Sequence, residues 1–193
     1  SSDPYTINTK FDFVSRNPTQ LQPMQLDRIK KNAKDYCHEF IEKDLKVMGT
    51  YSKPAKLMGL IYVQGDVRLG GRIGGQAMIV TTGDVYIDET VVHDDAESFL
   101  SIVALDGQVK VNKTLQNAKI EASIYAKNSI TGGEYINIFG NLCVDTLNRQ
   151  TGEEGALIMP KRVVIDYDAN IKSKIGGNVC FNVSELVTTS RDL

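Results

Sequence analysis

The chain has 193 residues, a net charge of −2 and a sequence pI of about 5.7. That length suits one domain with its own core, and 41% apolar with 24% charged residues is the balance of a globular protein. No basic stripe points to nucleic acid, no run of like charges to a disordered tail, and no apolar run approaches the ~18 residues of a membrane span.

Residues 1–22 are polar and broken by Pro4 and Pro18, which predicts an irregular lead-in with a short strand at Thr9–Val14. No signal peptide is legible there. Pro23 suits the first turn of a helix, because its φ is already helical. From Met24 to Val47 the apolar residues Leu26, Ile29, Ala33, Tyr36, Cys37, Phe40, Ile41 and Leu45 recur at helical spacing. Lysines and acids occupy the other face. The expectation is one amphipathic helix of about six turns over 23–48, stopped by Gly49 and carrying the neighbours Cys37 and His38.

After Pro54 the period changes to two. Gly65, Gly83, Gly107, Asn128 and Gly140 each sit between two short apolar runs. Four and two residues before and after these anchors stand Ile61, Val63, Val67 and Leu69, then Ile79, Thr81, Val85 and Ile87. Around the next two anchors stand Val103, Leu105, Val109 and Val111, then Ile124, Ala126, Ile130 and Gly132. Around Gly140 stand Ile136, Ile138, Leu142 and Val144. All are apolar except Thr81 and Gly132. A further unit surrounds Tyr167, with Val163, Ile165, Ala169 and Ile171.

Anchors roughly 20 residues apart in β-branched strands predict the coils of a parallel β-solenoid. Each glycine would permit a sharp bend or a positive φ. Asn128 and Gly140 are too close for a full coil, so a truncated one is expected near Gly132-Gly133. An antiparallel sandwich is the alternative, since Gly-Asp pairs also close hairpins. The predicted fold is mainly β: a single-stranded parallel β-helix with one long N-terminal amphipathic helix packed on its outside. It forms one domain over 1–193, with a lead-in at 1–22, the helix at 23–48, coils at 57–172 and a C-terminal cap at 173–193.

The strand before each anchor is apolar on both faces, which calls for cover on both, and the helix is the natural cover. Charging Ile29 or Phe40 on its stripe, each to Asp, should then cost several kcal/mol. The strand after each anchor is polar outside. Asp66, Arg68, Asp84, Tyr86, Gln108 and Lys110 are the expected interaction surface.

The densest acidic stretch, His93 to Glu97, contains Asp94, Asp95 and Glu97 as candidate cation ligands. Its spacing matches no calcium-loop motif, and a solvated loop is the simpler reading. Gly70-Gly71-Arg72-Ile73-Gly74-Gly75 lacks the Gly-Lys-Ser/Thr of a phosphate loop and reads as a close-packed bend. Neither serine nor histidine spacing supports a nucleophilic triad, so no catalytic residue and no cofactor are assigned. Three cysteines, Cys37, Cys143 and Cys180, are no disulfide framework. Cys143 and Cys180 lie in apolar runs and read as buried thiols, with a bridge between them open in an oxidising compartment.

Gly59-Leu-Ile-Tyr-Val-Gln-Gly-Asp-Val, Met78-Ile-Val-Thr-Thr-Gly-Asp-Val-Tyr-Ile, Ala122-Ser-Ile-Tyr-Ala and Tyr135-Ile-Asn-Ile-Phe-Gly-Asn-Leu together resemble a family of bacterial β-solenoid domains. These follow a prepilin-like hydrophobic N-terminus in envelope and pilus-associated proteins. The resemblance spans Gly59 to Ile171. It implies a non-enzymatic, extracytoplasmic bacterial protein whose partners are other envelope or pilus proteins, or a second copy. Membrane contact would come only through an N-terminal segment that this chain does not contain. A looser resemblance, to the bactofilin polymers, implies a self-polymerising scaffold. A carbohydrate-binding or carbohydrate-cleaving β-helix is the third expectation.

Overall fold

The computed structural model describes residues 5–8, 23–132, 135–144 and 162–168. Within them the chain is mainly β and winds as a parallel solenoid of about five coils. In order the elements are β1 (Tyr5–Asn8), α1 (Pro23–Tyr36), β2 (Glu39–Ile41), β3 (Leu45–Gly49), β4 (Ala55–Lys56), β5 (Gly59–Val63), β6 (Val67–Gly74) and β7 (Gln76–Thr81). They continue with β8 (Val85–His93), β9 (Phe99–Ala104), β10 (Val109–Val111) and β11 (Asn117–Ala126). The last are β12 (Ile130–Gly132), β13 (Tyr135–Val144) and β14 (Arg162–Asp166). Every pairing among them is parallel.

A coil has three sides. The first stacks β2, β5, β7, β9 and the C-terminal parts of β11 and β13. The second stacks β3, the starts of β6 and β8, then β10 and β12. The third stacks β4, the ends of β6 and β8, the starts of β11 and β13, then β14 and β1. One core fills the interior along the whole stack, from Val47, Ile61 and Leu69 to Ile136, Ile138 and Val163. Burying such columns of β-branched and aliphatic side chains is the main driving force, about 1.5–3 kcal/mol for each fully buried side chain. Thr81, the polar exception in the interior, is satisfied: its hydroxyl donates to Gly65 O and accepts from Gly83 N–H.

Several expectations change. The helix ends at Tyr36, not at residue 48, and the solenoid begins at Glu39 rather than near 57. His38 has already left the helix. Its N–H donates to Leu60 O at 2.8 Å, and its Nδ1 accepts Leu60 N–H at 3.0 Å. Ile41, Leu45 and Val47 mimic a helical stripe, yet they form the first coil and pack into the interior beside β5 and β6. The ladder offered by those strands outweighs local helix propensity. Phe40 is therefore a strand residue, 39% exposed and stacked on Tyr62 at 5.6 Å. A charge there should cost much less than the helical reading implied, and the Ile29 side chain lies outside the described residues.

The register at Gly107 also differs. Ile102 and Ala104, not Val103 and Leu105, face the interior, paired with Ile79 and Thr81. Val103 and Leu105 belong to the outer cluster. Leu105 is one extra residue ahead of this corner, and one residue inverts a strand's faces. With both faces apolar, alternation could not reveal the slip.

Gly140 is not a corner of the kind formed by Gly65, Gly83 and Gly107, between the first and second sides. It lies inside the continuous β13, opposite Ala122, at φ +146°. Leu142 and Val144 stack on Ile124 and Ala126, so β13 continues the first side, and residues 133–134 of the expected truncated coil lie outside the described residues. Val163 and Ile165 do enter the interior, from the third side, while Tyr167 is exposed. Cys143 is exposed rather than buried. The Thr9–Val14 strand, Ala169, Ile171, Cys180, the 173–193 cap and most of the 1–22 lead-in lie outside the described residues.

Candidate interaction surface

The first side is apolar outside as well as inside. Leu60, Tyr62, Met78, Val80, Val103 and Leu105 form a second cluster, closed by Ala33 of α1 and flanked by Cys37 and Tyr125. Burial holds the Tyr62 hydroxyl above the usual phenol range. Lys30 of α1 reaches Asp106 at 3.2 Å, and Lys127 reaches the same carboxylate at 3.1 Å. Burial pushes the Asp106 carboxyl up, but these two ammonium groups outweigh it and hold it below the ordinary range.

The corner between the first and second sides is where the sequence repeat lies. Its glycines do not have positive φ. They are needed because a Cβ at Gly107 would strike Gly83 O, and one at Gly83 would stand 2.5 Å from Gly65 O. Beside them runs a carboxylate ladder. Asp44 Oδ1 accepts Asp66 N–H at 2.9 Å, Asp66 Oδ1 accepts Asp84 N–H at 2.8 Å, and Asp84 Oδ1 accepts Gln108 N–H at 3.0 Å. In return Leu45 N–H donates to Asp66 O and Val67 N–H to Asp84 O, both at 2.9 Å. An aspartate at the corner, after Lys43, Gly65 and Gly83 in turn, thus bolts one coil to the next across steps of 22, 18 and 24 residues. The separate corner from the second to the third side does use a left-handed glycine: Gly71 has φ +74° and packs on Gly49.

The six expected surface residues fall together on the second side and its corner. Arg68 is bidentate to Asp88 at 2.8 and 2.7 Å and lies over the Tyr86 ring at 4.7 Å. Lys110 lies over the other part of that ring at 5.2 Å and donates to Asp84 Oδ2 at 2.6 Å. Asp88 raises the Arg68 guanidinium and Asp84 the Lys110 ammonium, each through its hydrogen bond. The patch is contiguous, and these charges are paired within it.

The acidic stretch is dispersed among different partners. Asp94 pairs with Lys56 and Arg72, and Asp95 accepts from Ser98 Oγ at 2.7 Å, which lowers its pKa. Glu97 is exposed. Among the described residues no three His, Cys, Asp or Glu side chains converge on a metal position. Nearby, Glu121 accepts His93 N–H at 2.6 Å and Lys119 Nζ at 2.6 Å. Burial raises Glu121, and those two donors more than offset it.

A cleft among the described residues lies on the third side, lined by residues that were not among the expected candidates. Gln116, Asn117, Tyr135, Asn137, Arg162 and Val164 line it across β11, β13 and β14. The outward alternation of Tyr135 and Asn137 was readable in the sequence. Taking Gly140 as a corner assigned it to the wrong side.

Comparison with protein-family models, curated proteins and solved structures finds no match for this chain. The model defines its class, a parallel β-solenoid, by architecture alone.

Proposed function

We propose that the protein is a non-catalytic, extracytoplasmic structural and interaction module of a bacterial envelope, serving pilus or secretion assembly or surface attachment. Its partners on this reading are other envelope or pilus proteins. The observation that carries it is the use made of charge: Asp44, Asp66, Asp84, Asp88, Arg68 and Lys110 hold coil to coil. A stack tied in this way is a stiff spacer with a long lateral surface. Helix α1 serves as a clasp over the first side, fixed by Ala33 and the Lys30–Asp106 pair. The test is protease access in intact cells carrying the native gene. Digestion in intact cells, or once the outer membrane alone is permeabilised, supports the reading, and digestion only after the inner membrane is lysed overturns it.

A second reading, a self-polymerising scaffold, draws on the first coil. Among the described residues β2, β3 and β4 each pair with a later coil on one side only, and Ile41, Leu45, Ala55 and Leu57 at that rim are partly buried. Such an edge can template another chain. Filaments that lengthen with concentration in electron micrographs would favour it over the first reading.

A further inference from the structure

The third-side cleft has the polar groups that the second side has already consumed. Asn137 Nδ2 donates to Asn117 Oδ1 at 2.6 Å. This couples the two amides and uses only one donor and one acceptor, so the Asn117 N–H donors and the Asn137 carbonyl are not consumed by it. Gln116 adds another amide at the rim. Tyr135, 44% exposed, offers a ring face with a hydroxyl at its edge. Arg68 and Arg72 are both ion-paired, whereas Arg162 has no ion pair among the described residues and lines the cleft with its forked donors. None of the described residues lining it is a carboxylate. Glu121, on the same side, is held by Lys119 and His93.

We propose that this cleft binds an acidic saccharide carrying a uronic carboxylate. Arg162 takes the carboxylate in a bidentate pair, the amides of Asn117 and Asn137 take adjacent hydroxyls, and the apolar face of one sugar ring lies on Tyr135. Phe139, 40% exposed on the same face of β13, lies about 13 Å along the strand with Glu121 and Asp166 beside it in register, so the uronic carboxylate belongs at the Arg162 end. The proposal is of binding: none of the described residues lining the cleft carries a carboxyl group, and glycoside hydrolysis needs two flanking the bond. The inference goes beyond the envelope reading and does not depend on it.

The full chain would be titrated calorimetrically with trimers of galacturonic, mannuronic and guluronic acid, with maltotriose and a triglutamate peptide as controls. At least one uronic trimer should bind about tenfold more tightly than both controls. Tyr135→Ala and Arg162→Gln should each weaken it about tenfold without moving the melting temperature. If Tyr135→Ala lowers the melting temperature, Asn137→Asp replaces it: the new carboxylate should repel the ligand while the fold stands. No saturable binding of any uronic trimer overturns the proposal. So does equal binding of triglutamate, which would mean charge alone, or binding that these variants leave unchanged. Each of those failures leaves the protease-access result as it was.

Discussion

The first and second sides of the coil share one interior and differ in what they turn outward. On the first, Leu60, Tyr62, Met78, Val80, Val103 and Leu105 make the outside a second core that requires α1. On the second, Arg68, Tyr86 and Lys110 face outward and pair between coils. The interior therefore determines that a coil forms. The outward residues determine whether a side needs cover or can stand in water. Stability should follow the same division, with large effects from the shared interior and small ones from the charged exterior.

The hardest test of that division is Ile102→Ala. Ile102 is 0% exposed and interior, and its truncation should cost about 2–5 kcal/mol in urea unfolding. A loss below about 0.5 kcal/mol, the scale of a surface change, would mean that Ile102 is no part of the shared interior. Gly107→Ala comes next, since its Cβ would meet the Gly83 backbone rather than a side chain that can turn away. About 1–3 kcal/mol should be lost by the same measure. A neutral result would break the argument that close approach, and not φ, selects glycine at this corner.

Asp84→Ala should cost about 1–2 kcal/mol, because Gln108 N–H loses its acceptor and Lys110 its partner. Calorimetric melting that matches wild type would show that water can replace the ladder. Acid should expose a smaller effect. Glu121 and Asp106 have folded pKa values below ordinary. Their stabilisation is complete above the unfolded carboxylate pKa of about 4 and disappears as pH falls through the folded values. Urea midpoints should be level above about pH 5 and fall below about pH 4, with a shallower fall in Glu121→Gln. An unchanged slope in that variant would remove Glu121 from the account. Smallest of all, Arg68→Ala should lose less than about 1 kcal/mol, since the Arg68–Asp88 pair is largely solvated. A larger loss by thermal melting would mean that the second side is a packed surface after all.

Much of the stacking could be read from residues. The columns Val67–Val85–Val109–Ile130 and Ile61–Ile79 follow the period of two counted from Gly65, Gly83, Gly107 and Asn128. The third side could not be read in this way, because its strands merge with the first side in β11 and β13 and with the second in β6 and β8. No glycine at a fixed distance marks it. The cleft was missed for the same reason, since Asn117, Tyr135 and Arg162 become neighbours only through register.

By itself, then, the sequence determined that the chain coils in parallel, where one corner recurs, and that one side is apolar on both faces. Those features come from local spacing and side-chain chemistry, which a linear pattern records. Tertiary structure alone decided that 39–49 is a coil and not a helix, which of Ile102 and Val103 points inward, and what the corner residues are for. Each of these depends on a neighbour about 20 residues away in the next coil. Asp44 appears as a helical surface residue until Asp66 N–H is placed on its carboxylate.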